Sequence, residues 1–343
     1  MTNGDVSGHA LVALTRFFAD HVDPRVVRLK VSRLMGGRSN LTFRVSDSIG
    51  EWVLRRPPEG PVPPTAHDVA REYRIACALS DTEVPVARGV ALCEDTSVIG
   101  APFSVVDWVS GEVWRVPSEA GRFSEADRRK ASEALVDVMA RLHRLDPVAL
   151  DVPVSSNGSG YLDRQLRRWH GQLERWSARD LPDVHRLGRI LSERLPVTRK
   201  TALVHGDYRF DNVILDASSP GRIRAVLDWE LATVGDPLAD IAQLVAYWHD
   251  PAHEAVFAHH ELTALPGFLT AGEIIERYEA ATSYRVEPLG FYLGLAYYRW
   301  AIIREGVFAR AVRRGEAHSA ETGRVAHSVS SIAQRGLRAL AAG

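Results

Sequence analysis

Cysteine is nearly absent from this chain of 343 residues. Its two cysteines, Cys77 and Cys93, are too few for a disulfide framework and read as two thiols in a reducing compartment. Charge of one sign is missing too. Forty-two Lys and Arg stand against 43 Asp and Glu, a formal net charge of -1. No global field therefore draws the chain to nucleic acid or to an anionic membrane. Long apolar runs are also lacking: the most apolar late run, Leu289 to Tyr298, ends at Arg299 and is too short to span a bilayer. The start, Met1-Thr2-Asn3-Gly4-Asp5, has no basic region ahead of an apolar core, so no secretory signal is expected, and a cytoplasmic location is. There is no internal repeat and no low-complexity segment. What remains is 45% hydrophobic and 25% charged, ordinary for a soluble globular protein. The length is large for one core and comfortable for two lobes.

The hydrophobic period changes along the chain. Leu11, Leu14, Phe17 and Phe18 sit at helical spacing. Val27 to Leu34, Leu41 to Val45 and Trp52 to Arg55 read as strands of a meander, with Gly36-Gly37 and Ser46 to Gly50 as turns. Five prolines make Pro57 to Pro64 a loop. Ala66 to Leu79 returns to helix, with Val69, Tyr73, Ala76 and Leu79 on one stripe. Val86 to Leu92 and Pro102 to Val109 have strand character. After Gly111 helices dominate. Ser124 with Asp127 forms an N-cap signature for a helix to about Leu145. Further helices are expected over 162–177, 184–195, 237–248, 271–281, 288–311 and 322–341, with short strands at 202–204 and 223–227. The organisation predicted is α+β: a small mixed lobe over residues 1–106, a connector at 107–111 and a larger, mostly helical lobe over 112–343.

The chemistry concentrates in Leu203-Val204-His205-Gly206-Asp207-Tyr208-Arg209-Phe210-Asp211-Asn212 and in Val226-Leu227-Asp228-Trp229-Glu230. Each apolar lead-in delivers a carboxylate to a strand end. Asp207 followed by Asn212 has the D-x-x-x-x-N spacing of kinase catalytic loops. Phosphoryl transfer from Mg-ATP needs one group to accept a hydroxyl proton and oxygen ligands for magnesium. Asp207 is the candidate base, and Asn212 and Asp228 are the candidate ligands. Singly, each is an ordinary turn or strand-end residue; the order of the three argues for function. His205 could ligate zinc beside Asp207, but no H-E-x-x-H and no cysteine cluster accompanies it, so a packed scaffold histidine is the better reading. The His259-His260 pair receives no role.

His205-Gly206-Asp207-x-x-x-x-Asn212 with Asp228, followed by Gly235-Asp236-Pro237-Leu238-x-Asp240, resembles the aminoglycoside phosphotransferase (APH) family, relatives of the protein kinases. Leu54-Arg55-Arg56-Pro57-Pro58, Arg71-Glu72-Tyr73-Arg74 and Asp228-Trp229-Glu230-Leu231-Ala232-Thr233 are similar to the subgroup related to kinase-like domains fused to some acyl-CoA dehydrogenases. The resemblance implies a bilobal protein-kinase-like fold with ATP in the cleft between the lobes. It puts Gly36, Gly37, Ser39 and Asn40 at the nucleotide-binding turn. It puts Arg55 in the slot where relatives usually carry a phosphate-gripping lysine, and Glu72 as that cation's partner. Val106 to Val109 become the hinge, with the backbone of Asp107 and Val109 toward adenine. Two departures stand out. Arg55 brings a planar fork in place of a point charge, and Asp228-Trp229-Glu230 lacks the glycine of the Asp-Phe-Gly triplet. Asp211, Asp236 and Asp240 are read as scaffold around the loop, Asp236 and Asp240 framing a helix that starts at Pro237.

The expected activity is transfer of the γ-phosphate of Mg-ATP to a small-molecule hydroxyl, with ATP and magnesium as cofactors. A nucleotide-binding module without transferase activity, suggested by Arg55 and the missing glycine, is the alternative. A metal-dependent hydrolase using His205, Asp207 and Asp228 is a third reading. The acceptor is hardest to read. Arg164, Arg167, Arg168 and Arg175 alternate with Trp169 and Trp176, and Arg299 and Arg304 sit among Tyr297, Tyr298 and Trp300. On a solvated face these arginines carry no message; facing the cleft they suit an anionic or acyl-CoA-like substrate.

Overall fold

A computed structural model describes residues 8–34, 40–58, 68–150, 152, 160–177, 179–251, 258–316 and 319–342. The chain opens with helix α1 (Gly8–His21), then strands β1 (Lys30–Arg33), β2 (Leu41–Asp47) and β3 (Gly50–Arg56), helix α2 (Val69–Leu79), and strands β4 (Gly89–Cys93) and β5 (Phe103–Asp107). The five strands form one antiparallel sheet in the order β1-β2-β3-β5-β4. Strand alternation sorts the side chains. Phe43, Val45, Trp52, Leu54, Phe103 and Val105 pack with Leu14, Phe17 and Phe18 of α1 on one face. Arg55, next to buried Leu54, takes the other face, toward α2 and the cleft. β1 starts at Lys30, not Val27, because the Asp47 carboxylate accepts the Val27 and Arg28 N–H groups that a longer strand would have paired.

The second lobe contains α3 (Pro117–Ala120), α4 (Glu125–Arg144), α5 (Tyr161–Trp176), α6 (Pro182–Glu193), strands β6 (Ala202–Val204), β7 (Val213–Asp216), β8 (Ser219–Val226) and β9 (Thr233–Gly235), then α7 (Pro237–Tyr247), α8 (Ala258–Thr263), α9 (Ala271–Thr282), α10 (Gly290–Arg313) and α11 (Ala320–Ala342). Ser124 and Asp127 form the expected capping box of α4. β6 pairs with β9, and β7 with β8. β7 is a buried run, Val213-Ile214-Leu215-Asp216, that sequence reading passed over; it exists because β8 pairs along it. One core joins α4, the β7–β8 hairpin, α7 and α9, and it takes in Ile75 and Leu79 of α2. A second lies among α5, α6, α7, α10 and α11. After the connector, Glu112 exchanges two backbone hydrogen bonds with Leu215 of β7 (2.9 and 2.8 Å), so the chain enters the helical lobe by docking on the hairpin that carries the site. No helix among the described residues is long and apolar enough to cross a membrane.

Candidate active site

The 205–212 loop leaves β6 and turns sharply at Gly206. Its φ is +83°, and a Cβ there would lie 2.9 Å from Leu231 Cβ and 3.0 Å from Leu231 O, so glycine is required. Asp240, in the first turn of α7, accepts from the N–H groups of His205 (2.6 Å) and Gly206 (2.9 Å). Burial alone would raise the Asp240 carboxyl, but His143 and these donors hold it below the usual range. Asp236 caps the same helix through the Leu238 N–H and accepts from Tyr292 Oη at 2.8 Å. Both carboxylates thus act as scaffold around the loop. His205 is fully buried, with Nε2 donating to Leu227 O (2.8 Å) and Nδ1 accepting from the Asp207 N–H (3.2 Å). Both ring nitrogens are spoken for, which removes the zinc-ligand reading of this residue.

Asp207 sits at the end of this scaffold. Its Oδ1 accepts from Gln243 Nε2 (2.9 Å) and Tyr247 Oη (3.2 Å), both on α7. Its Oδ2 meets Asn212 Nδ2 at 3.3 Å and Arg209 Nε at 3.6 Å. Arg299, from α10, brings Nη2 to 3.9 Å of Oδ1. Burial pushes the carboxyl up, but the Arg209 and Arg299 guanidiniums outweigh it and hold Asp207 below its ordinary value, ionised. Arg209 lies 4.8 Å over the Tyr247 ring and 3.6 Å from Asp211. Sequence reading missed Arg209, Gln243 and Tyr247. The one available signal was a polar stripe, Asp240, Gln243 and Tyr247, at helical spacing in the otherwise apolar α7.

Asn212 donates to Asp207 O at 2.8 Å, which engages its Nδ2. The Leu227 N–H donates to Asn212 O at 2.8 Å, so Asn212 and Asp228 flank the open end of the β7–β8 hairpin. Asp228 has a left-handed backbone, φ +66°, which few residues other than glycine, Asn and Asp tolerate. Its Oδ1 accepts from Arg55 Nη2 at 3.0 Å, while Arg55 Nη1 pairs with Glu72 at 3.0 Å. Burial drives the Glu72 carboxyl up to about 7. Arg55 pulls the other way, and Asp228 and Glu230 add to the rise. Arg55 itself stays charged: burial disfavours its cation, but Glu72 and Asp228 more than compensate. Trp229 fills the Phe position of the triplet and is buried, its ring 4.8 Å from that of His205. Arg71 of α2 donates to Glu230 O (3.0 Å) and to Ala232 O, strapping this turn to the small lobe.

On the nucleotide side, Gly36, Gly37 and Ser39 lie outside the described residues. Asn40 is buried, and neither of its amide atoms has a hydrogen-bond partner among the described residues. In the connector, the Asp107 N–H donates to Arg88 O (2.9 Å) and its carboxylate pairs with Arg88. The arginines divide. Arg167 pairs with Asp163, Arg175 bonds Gly171 O, and Arg304 bonds Ser328, all away from Asp207. Arg168 and Arg299 both stack near Trp169, at 5.6 and 5.3 Å, and Arg299 reaches the 205–212 loop.

Comparison with known proteins agrees with this geometry. Mouse acyl-CoA dehydrogenase family member 10 is 34% identical over 307 residues, 87% of this chain but 28% of that protein. The chain therefore spans less than a third of that relative's length. A crystal structure from Ralstonia eutropha JMP134, provisionally assigned as an aminoglycoside phosphotransferase, has 31% identity and a TM-score of 0.81, covering 96% of this chain and 97% of that one. The aminoglycoside phosphotransferase APH(4)-Ia, solved with AMP-PNP and hygromycin B, shares the kinase-like fold at 15% identity (TM-score 0.61, covering 95% of this chain and 98% of that one). The sequence model of the phosphotransferase enzyme family, APH, matches residues 30–271, and the chain belongs to that family.

Proposed function

We propose that this chain is a small-molecule kinase that moves the γ-phosphate of Mg-ATP to a hydroxyl. The observation that carries the reading is the convergence at one cleft of an ionised Asp207, the amide of Asn212 and the Arg55-paired Asp228. In the step proposed, the acceptor oxygen attacks the γ-phosphorus, the bond to the bridging oxygen breaks, ADP leaves, and Asp207 takes the hydroxyl proton. Asn212 Oδ1 and the Asp228 carboxylate are hard oxygen donors that suit magnesium, which would supply charge neutralisation on the phosphates. Arg55, held by Glu72, would contact the phosphates. Asn40 and the backbone of Gly36, Gly37 and Ser39 would line their turn, and the Asp107 carbonyl and Val109 backbone would meet adenine.

For the acceptor, Arg209 and Arg299 beside Asp207, with Arg168 next to Arg299, support an anion-bearing hydroxy compound, an acyl-CoA thioester included, over a polycation. One observation favours the non-transferring alternative: Arg55 already occupies an Asp228 oxygen that magnesium would use. The test is phosphate transfer from Mg-ATP to a panel of anionic hydroxy compounds, hydroxyacyl-CoA thioesters and aminoglycosides. Transfer to the anionic members, lost in Asp207→Asn, is the expected result. Nucleotide binding without any turnover would favour the non-transferring module.

A further inference from the structure

Asp207 is held asymmetrically, and the cause lies outside the segment that defines the family. Oδ1 has two donors, Gln243 Nε2 and Tyr247 Oη; among the described residues Oδ2 has only the longer contacts from Asn212 and Arg209. A glutamine can present either its oxygen or its nitrogen to a neighbour. Here Arg299 removes the choice. Its Nη1 donates to Gln243 Oε1 and to Gly206 O. A guanidinium only donates, so the glutamine oxygen must face Arg299 and its NH2 must face the carboxylate. Arg299 belongs to α10, beyond the family match at residues 30–271.

We propose that Gln243, aimed by Arg299, is a positioning residue that occupies Asp207 Oδ1 and thereby fixes Oδ2 as the oxygen offered to the acceptor hydroxyl. This rests on the kinase reading above. The preference is geometric: the two oxygens are equivalent, so a half-turn only exchanges them, but any partial rotation of the carboxylate plane would forfeit two donors that face a single fixed point, and the oxygen turned away from α7 is the one left for the hydroxyl.

The experiment uses the full chain with Mg-ATP alone, water serving as acceptor. It measures inorganic phosphate release and the Kd for AMP-PNP with magnesium. Gln243→Glu keeps the length and the acceptor for Arg299 but cannot donate to Asp207. Phosphate release is expected to fall about 10²-fold with nucleotide Kd nearly unchanged. In an Asp207→Asn background the same change should cost nothing further, because its whole effect runs through that carboxylate. A packing role would instead multiply the two losses, and that result overturns the proposal. A normal rate in Gln243→Glu with a depressed rate in Asp207→Asn overturns the positioning alone. An undiminished rate in Asp207→Asn defeats the kinase reading itself, and the positioning with it. Should Gln243→Glu fail to fold, Gln243→Met in the same cycle carries the same outcomes.

Discussion

The loop around Asp207 and the turn around Asp228 lie side by side but are held by different halves of the molecule. Among the described residues, the direct partners of Asp207, from Asn212 to Gln243, Tyr247 and Arg299, belong to the helical lobe. The Asp228 turn is gripped from the small lobe, by Arg55 on the side chain and by Arg71 on the carbonyls of Glu230 and Ala232. In the reading proposed here, the base is set whether or not the lobes close on a nucleotide, whereas the magnesium side moves with the lobe that carries the phosphates. A rigid base beside a lobe-dependent metal ligand is a division of labour suited to ordered assembly of a ternary complex.

Breaking the loop side should have the largest effect on rate. Asp207→Asn removes the proposed proton acceptor and is expected to lower transfer by about 10³-fold, as read from initial rates. Breaking the turn side at its cation should have the largest effect on stability. Arg55→Met leaves buried Glu72 and half-buried Asp228 without their shared partner and should cost roughly 3–5 kcal/mol in denaturant unfolding, while Arg55→Lys should recover part of it. A smaller effect comes from the strap: Arg71→Ala leaves two carbonyls short of a donor, about 1–3 kcal/mol, and should raise KM for ATP more than it lowers kcat. The smallest lies outside both regions. The Arg28, Ser48 and Val27 N–H groups hold the Asp47 carboxyl at about 2, below its unfolded value of about 3.9. A depressed carboxylate stabilises fully above the unfolded value, and that contribution fades as pH falls toward 2. Asp47→Asn should therefore flatten the fall in Tm over that window, measured by thermal melts.

The same contrast explains what could be read from the sequence. Trp52 to Arg55 was legible as a strand, and the period of two that a half-buried sheet imposes puts Arg55 on the face opposite Leu54. The α4 start was legible because a capping box is local. Glu72 beside Arg55 came from the family resemblance, and the structure brings the two together at 3.0 Å. Gln243, Tyr247 and Arg71 went unread because their partners lie 36, 40 and 159 residues away, or turn on a carbonyl that no side-chain pattern reports; Arg209 lies only two residues from Asp207 and Asp211, but a cation inside a loop leaves no periodic signal. The first half of β8, Ser219-Pro220-Gly221-Arg222, has turn composition, and of these four only Ser219 has a β7 partner, Asp216, across an irregular stretch of the register.

The division between the two carboxylates is most directly tested by titrating AMP-PNP into Asp207→Asn and Asp228→Asn, each with and without magnesium. The account predicts that Asp207→Asn keeps magnesium-dependent binding close to wild type, while Asp228→Asn binds weakly and loses the dependence on magnesium. Equal loss in both variants, or a magnesium dependence that survives in Asp228→Asn and disappears in Asp207→Asn, would contradict it.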